Sequence, residues 1–218
     1  MELTIDDIYG THDSLSGYPE LYWFLKPFNI FAKCQNKTLA KQFEEGARCY
    51  DARFAKHCGK WYGAHGAMLY NITLEQAWDE LIELSKKEQI YVRVICEDTF
   101  YKKSDWEELL YTVSYLEKSD NLNLLYVRSK RNWENVIESD FYEEKCADHP
   151  ELWDTPYTRK GIAKAVQKLY EMKTSSDKLN FIACYSSKFI PKLFARILTP
   201  IAKEITLPNN NIRIVDFI

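Results

Sequence analysis

Apolar residues along the chain recur in two alternating patterns, a helical period of about 3.6 residues and short dense runs of the kind that buried strands show. Thr73-Leu74-Glu75-Gln76 has the form of a capping box, and Leu74, Ala77, Trp78, Leu81 and Ile82 then follow at helical spacing until Lys86 and Lys87 close the segment. The strand Ile90–Cys96 comes next. Ser104-Asp105-Trp106-Glu107 is a second capping box, opening a helix with Trp106, Leu109, Leu110 and Val113 on its apolar face, and Asn123-Leu124-Leu125-Tyr126-Val127-Arg128 is the strand after it. Leu39, Ala40, Phe43 and Ala47 mark an earlier helix that leads into Cys49-Tyr50-Asp51-Ala52-Arg53. Ile162, Ala165, Val166 and Leu169 mark a later one that leads into Leu179-Asn180-Phe181-Ile182-Ala183-Cys184. Leu193, Phe194 and Ile197 belong to a helix that Pro200 should interrupt or kink, and Ile212-Arg213-Ile214-Val215-Asp216-Phe217 is the last strand.

With Ile8-Tyr9 and Trp61-Tyr62 added, six to eight strands alternate with helices, which argues a parallel sheet joined by right-handed crossovers. Pattern alone leaves a closed barrel and an open doubly wound sheet both standing. The stretch from Ser129 to Tyr157 is the least regular, charged and set with Trp133, Phe141, Tyr142 and Trp153. Its length suggests a functional rim loop or an irregular strand.

Composition sharpens this reading. The 218 residues are 46% hydrophobic and 28% charged, as in an ordinary folded protein. A chain of this size buries roughly 70–75% of its unfolded surface, so a single domain over residues 1–218 needs neither disulfide nor structural metal. Lys and Arg number 29 against 32 Asp and Glu, with no long basic run, which excludes a nucleic-acid partner. No apolar stretch is long enough to span a membrane, and the acidic start MELTIDDIYG is unlike a signal peptide, so the expectation is a soluble cytoplasmic monomer. Cys34, Cys49, Cys58, Cys96, Cys146 and Cys184 form no C-x-x-C pair and are expected as buried free thiols in a reducing compartment.

Two of the four histidines stand beside glycine at strand ends: His12 in Gly10-Thr11-His12-Asp13-Ser14 and His65 in Gly63-Ala64-His65-Gly66. His57 and His149 have charged neighbours and read as ordinary surface residues. Asp51 and Arg53 lie two apart on one strand, hence on one face, and not on the helix-covered face. They are either a structural salt bridge or half of an anion site.

This ordered set resembles the X-region barrel of phosphatidylinositol-specific phospholipase C in its bacterial form. The resemblance covers essentially the whole chain and is strongest over residues 8–83, in G-T-H-D-S, Asp51-x-Arg53 and His65-Gly66, with Asp216 in a final strand like the family's last. It implies an irregular TIM-type (β/α)8 barrel, with His12, Asp13, Asp51, Arg53, His65 and Asp216 converging at the carboxyl ends of the strands. It implies further that His12 takes a proton from the inositol 2-hydroxyl and that His65 protonates the departing diacylglycerol oxygen. Asp216 would hold His12, Asp13 would support His65, and a cyclic inositol 1,2-phosphate would result. Calcium-dependent relatives place metal ligands where Arg53 stands, so no metal and no cofactor are expected here. Arg128 and Asp154 match family contacts to the sugar. The family's lysine at the fourth strand is missing from Arg93-Val94-Ile95-Cys96-Glu97, and Arg93 is assigned in its place.

The substrate implied is an inositol phospholipid. The alternatives are a glycosylated inositol lipid, a soluble glycerophosphoinositol, or a barrel that binds the head group without turning it over. Tyr18 to Phe31, rich in aromatic rings, stands where relatives carry an interfacial helix; peripheral membrane contact and a buried aromatic cluster are both open for it.

Overall fold

A computed structural model describes residues 8–99, 106–129, 137–138, 147–149, 160, 181–185, 190–204 and 211–218. Its strands are β1 (Ile8–Thr11), β2 (Cys49–His57), β3 (Lys60–His65), β4 (Met68–Thr73), β5 (Ile90–Cys96), β6 (Leu122–Ser129), β7 (Ile137–Glu138), β8 (Ala147–His149), β9 (Phe181–Tyr185) and β10 (Asn211–Val215). The helices are α1 (Leu39–Glu44), α2 (Leu74–Ser85), α3 (Trp106–Ser114) and α4 (Pro191–Glu204). The strands make one mixed sheet in the order β7-β6-β5-β2-β1-β10-β9-β8. The seven strands from β6 through β8 along that path are parallel. β7 is antiparallel to β6, and among the described residues no pairing joins that edge to β8.

One departure from the alternating pattern concerns Trp61-Tyr62. They belong to β3, which runs antiparallel to β2 and continues into β4, so an extended hairpin, and not a crossover, carries His65. Sequence periodicity alone does not distinguish the two, because a buried strand has the same pattern in either orientation.

The local signals for α2 hold in full. Thr73 accepts from the Gln76 amide at 3.3 Å, Gln76 returns the bond to the Thr73 N–H at 2.9 Å, and Leu74, Ala77, Trp78, Leu81 and Ile82 are all buried. In α3 Leu109 and Val113 are buried and Trp106 and Leu110 pack against the same core, while Ser104 and Asp105 lie outside the described residues. α4 contains Leu193, Phe194 and Ile197 as expected and is not interrupted at Pro200; its buried face carries Ala195 and Thr199, while Leu193 and Ile197 are exposed. The helix at 162–169 and most of the irregular stretch, with Trp133, Phe141, Tyr142 and Trp153, fall outside the described residues.

Alternation along the central strands sorts side chains onto two faces. Tyr50, Ala52 and Phe54 of β2, with Val92, Val94 and Cys96 of β5, join the main core beneath α1, α2 and α3. Cys49, Tyr91, Ile95, Tyr126, Ile212 and Ile214 form a second cluster on the opposite side, the face that Asp51 and Arg53 share. Each fully buried Val, Ile or Phe side chain among these contributes about 1.5–3 kcal/mol. Gly10 is required where β1 passes between its neighbours, since a Cβ there would meet the Cys49 Cβ at 2.8 Å and Ile214 at 3.2 Å.

Cys34, Cys49 and Cys96 are buried free thiols, but Cys58 is exposed in the β2–β3 turn with φ 48. The tight reversal pushes it outward. His57 is half-buried, 2.6 Å from the Tyr22 hydroxyl. Of His149 only the backbone, in β8, is described.

Candidate active site

The parallel pairing of β1 with β10 ends at Thr11 opposite Val215. His12 and Asp216 are each one residue beyond that rung, and the His12 N–H still donates to the Val215 carbonyl at 2.9 Å. Their side chains therefore meet: His12 Nδ1 is 2.7 Å from Asp216 Oδ1. Asp13 then turns the chain in the left-handed region, φ 42, a conformation that Asp tolerates better than most residues. Hydroxyls hold the turn, with Ser14 donating to the Thr11 carbonyl at 2.9 Å and Ser16 to the Asp13 carbonyl at 2.7 Å. The Ser16 hydroxyl also accepts from the Cys34 and Gln35 amides at 3.1 and 2.9 Å, which fixes that loop over the site.

Two levels of the sheet supply the charges. At the lower, Asp51, Arg93 and Tyr126 stand side by side across β2, β5 and β6; at the upper, Arg53, Ile95 and Arg128 do. Arg53 Nε donates to Asp51 Oδ2 at 2.9 Å, and its Nη2 is 2.9 Å from His12 Nε2. A guanidinium can only donate, so that contact places the lone pair of His12 on Nε2 and its proton on Nδ1, toward Asp216. The Asp13 amide donates to Asp51 Oδ2 at 3.2 Å. Burial alone would raise the Asp51 carboxyl, but the Arg53 and Arg93 guanidiniums outweigh it and hold it well below the usual carboxylate range.

His65 comes in from the hairpin. Its ring centroid is 5.6 Å from that of His12 with the planes at 86°, and its Nδ1 donates to the Ala32 carbonyl at 2.6 Å and lies 3.3 Å from Asp13 Oδ2. Burial, then the Arg53 charge, bring its pKa down to about 4. Burial pushes Asp13 the other way, well above the ordinary carboxylate value. The cavity thus favours the neutral ring beside the neutral acid.

Six of the residues singled out in the sequence are in this one constellation: His12, Asp13, Asp51, Arg53, His65 and Asp216. Arg93 is 0% exposed, with Nε 3.2 Å from Asp51 Oδ1 and its guanidinium 5.2 Å from the Tyr126 ring. Arg128 donates to the Tyr126 hydroxyl at 2.9 Å and stacks over that ring at 4.3 Å. Asp154 lies outside the described residues.

Three participants were not singled out. Glu97, fully buried, accepts from Arg53 Nη1 at 3.4 Å and from the Gly66 amide at 3.3 Å. Its signal was present, since residues 93, 95 and 97 share one strand face. Gln35 donates to the His12 and Val215 carbonyls at 3.2 and 2.8 Å, and Cys34 Sγ lies 3.7 Å from His65 Nδ1. Both come from an irregular loop with no period to read.

The 3-10 helix Trp23–Phe31 borders this loop and turns its rings outward, with Trp23 84% and Phe28 61% exposed and Phe24, Ile30 and Phe31 also exposed. Leu25 packs against the core, and the buried Asn29 anchors the segment by donating to Glu20 and accepting from the Tyr70 hydroxyl at 3.1 Å. The ridge is thus the exposed member of the two arrangements open for it. No helix among the described residues is long and apolar enough to cross a membrane.

No protein-family model matches the chain, and no curated protein matches it by sequence. Solved structures do. A variant of the phosphatidylinositol-specific phospholipase C from Staphylococcus aureus is 19% identical, with a TM-score of 0.70 over 99% of this chain and 87% of its own. A structure concerned with modulation of that enzyme's membrane binding is 18% identical, with a TM-score of 0.71 over 99% and 87%. The Listeria monocytogenes phosphatidylinositol-specific phospholipase C is 19% identical, with a TM-score of 0.66 over 99% and 89%. The chain therefore has, over nearly its whole length, the fold of the bacterial phosphatidylinositol-specific phospholipases C.

Proposed function

We propose that the protein is a phosphatidylinositol phosphodiesterase of the phospholipase C type, a single-domain (β/α) barrel acting without a metal ion. The observation that carries this reading is the pair of perpendicular imidazoles with Arg53 on one and a carboxyl behind each.

His12 Nε2 accepts the proton of the inositol 2-hydroxyl as that oxygen bonds to phosphorus, and the hydrogen bond from Arg53 passes to a phosphate oxygen. His65 gives a proton from Nε2 to the diacylglycerol oxygen as its bond to phosphorus breaks, because Nδ1 is held by Ala32 and Asp13. The products are inositol 1,2-cyclic phosphate and diacylglycerol. A ring with a pKa of about 4 is by itself a poor proton carrier. The anionic phosphate supplies the charge that brings it up, so the acid is armed by its substrate. Placing the nucleophile within the substrate is worth up to roughly 7–11 kcal/mol.

Arg53 supports metal independence, since a guanidinium braced by Asp51 already supplies the positive charge that phosphoryl transfer needs. Asp216 sets the tautomer of His12, Arg93 braces Asp51, and Arg128 and Asp154 contact the sugar. The exposed ridge over Trp23–Phe31 supports docking on an inositol-lipid surface. The buried position of Arg93 favours keeping the other inositol phosphodiesters as substrates, because Asp51 engages the side chain assigned in place of the family's lysine.

The test is release of cyclic inositol phosphate from phosphatidylinositol vesicles with chelator present. Loss of activity in His12→Ala and His65→Ala is expected; turnover undiminished in both would overturn the proposal. Soluble glycerophosphoinositol, run in parallel, distinguishes a lipid enzyme from a soluble-substrate one.

A further inference from the structure

The proton chemistry uses two of three donor groups that the site gathers. A ring nitrogen of His12, the Sγ of Cys34 and a ring nitrogen of His65 all lie within 4.8 Å of one another. Cys34 Sγ is 3.7 Å from His65 Nδ1. A sulfur and a nitrogen bound tetrahedrally to one zinc ion, at about 2.3 and 2.0–2.1 Å, stand roughly 3.5 Å apart, so that edge is nearly preformed. Closing the remaining edges requires Arg53 Nη2 to give up His12 Nε2 and His65 Nδ1 to give up the Ala32 carbonyl.

The site is rich in carboxyls as well. Arg53 pairs with Asp51 and Glu97, Arg93 pairs with Asp51, and Asp216 faces His12. Thiolate and imidazole together select metals of the zinc class over magnesium or calcium, and three protein ligands leave a fourth position for water or an anion.

We propose that His12, Cys34 and His65 form an inhibitory site for a thiophilic divalent cation of the zinc class. On binding, the Cys34 thiol releases its proton to solvent and Sγ bonds as thiolate. His65 coordinates through Nδ1, its proton moving to Nε2 as the bond to the Ala32 carbonyl is given up. The ion then occupies the lone pair meant for the substrate's proton. It subtracts activity where other enzymes gain it, so the site is compatible with a metal-independent reaction. The inhibitory consequence rests on the phosphodiesterase reading; the binding does not.

The experiment titrates the full chain with Co2+ and then Zn2+ in a Cys58→Ala background, because Cys58 Sγ is exposed and 3.3 Å from His57 Nε2 and would compete. One equivalent of Co2+ should give a thiolate-to-cobalt charge-transfer band that Zn2+ displaces. Cys34→Ala should abolish the band, and His65→Gln should weaken binding by at least roughly 10–100-fold, the scale of losing even an outer-shell partner. Zn2+ should inhibit phosphodiester cleavage by the parent reversibly by chelator, and Cys34→Ala, measured against its own metal-free rate, should need correspondingly more. His65→Gln, read by the band alone, tests binding if Cys34→Ala does not fold. Absence of the band in the parent, or a band unchanged by both substitutions, would overturn the site. If no phosphodiester is cleaved, the band still decides the binding question.

Discussion

Replacing Asp13 with asparagine separates what this carboxyl does at rest from what it does in turnover. Burial favours the neutral acid, with His65 neutral at 3.3 Å. An asparagine amide has nearly the shape of that acid, so Asp13→Asn should melt within about 1 kcal/mol of the parent near neutral pH, as substitutions that create no cavity or buried charge do. Turnover is different, because there His65 must carry charge. Charging it in the cavity costs about 3 kcal/mol, from the fall of its pKa from 6.5 to about 4 at 1.36 kcal/mol per unit. The ionised Asp13 returns part of that through a charge-assisted contact of about 1.5–3 kcal/mol. Asp13→Asn should therefore lower kcat by roughly 10–100-fold.

Stability against pH distinguishes the two groups by sign. Asp13, with its folded pKa raised, contributes stability that is full below its ordinary value and lost as pH rises through the folded one. His65 contributes stability that is full above 6.5 and lost as pH falls to about 4. Because the slopes oppose, melting of the parent conceals both. The assay is titration of labelled histidine by NMR, together with melting of Asp13→Asn relative to the parent, which should improve as pH rises. A parent His65 that titrates near 6.5, or an Asp13→Asn enzyme of full kcat, would refute the reasoning.

Other expectations follow from packing and exposure. Trp23→Ala and Phe28→Ala should leave melting within about 0.5 kcal/mol, yet each should weaken vesicle binding by roughly 10–100-fold, for about 1.5–3 kcal/mol of ring burial; sedimentation with anionic vesicles reads this. Gly17→Ala should destabilise by about 3 kcal/mol or more, since its Cβ would lie 1.9 Å from the Lys37 carbonyl oxygen, and urea unfolding would measure the loss. Thr73→Ala removes one half of the α2 capping box and should cost about 1 kcal/mol by the same assay.

Much of this site was legible because its parts sit at strand ends, where a period of two tells which neighbours share a face. Asp51 and Arg53 could be placed together from spacing, and Glu97 could have been found the same way from Arg93. What periodicity does not carry is how strands align with one another. The rung that sets His12 beside Asp216 joins residues 204 apart, and it was the family resemblance, not the pattern, that pointed to it. The antiparallel hairpin bearing His65 was missed because a buried strand reads alike in both directions. Cys34 and Gln35 act from a loop shaped by the Ser16 hydroxyl, a contact with no local signature.

The pairing of β1 with β10 has a bearing on how the protein is made. A chain emerging from the ribosome presents its first imidazole early and the carboxylate that orients it 204 residues later. Until that final strand arrives, β1 lacks one of its two neighbours and His12 Nδ1 lacks the carboxylate that it faces. A nascent or prematurely terminated polypeptide would thus lack the oriented base of the proposed reaction, with competence conferred by the last segment to dock.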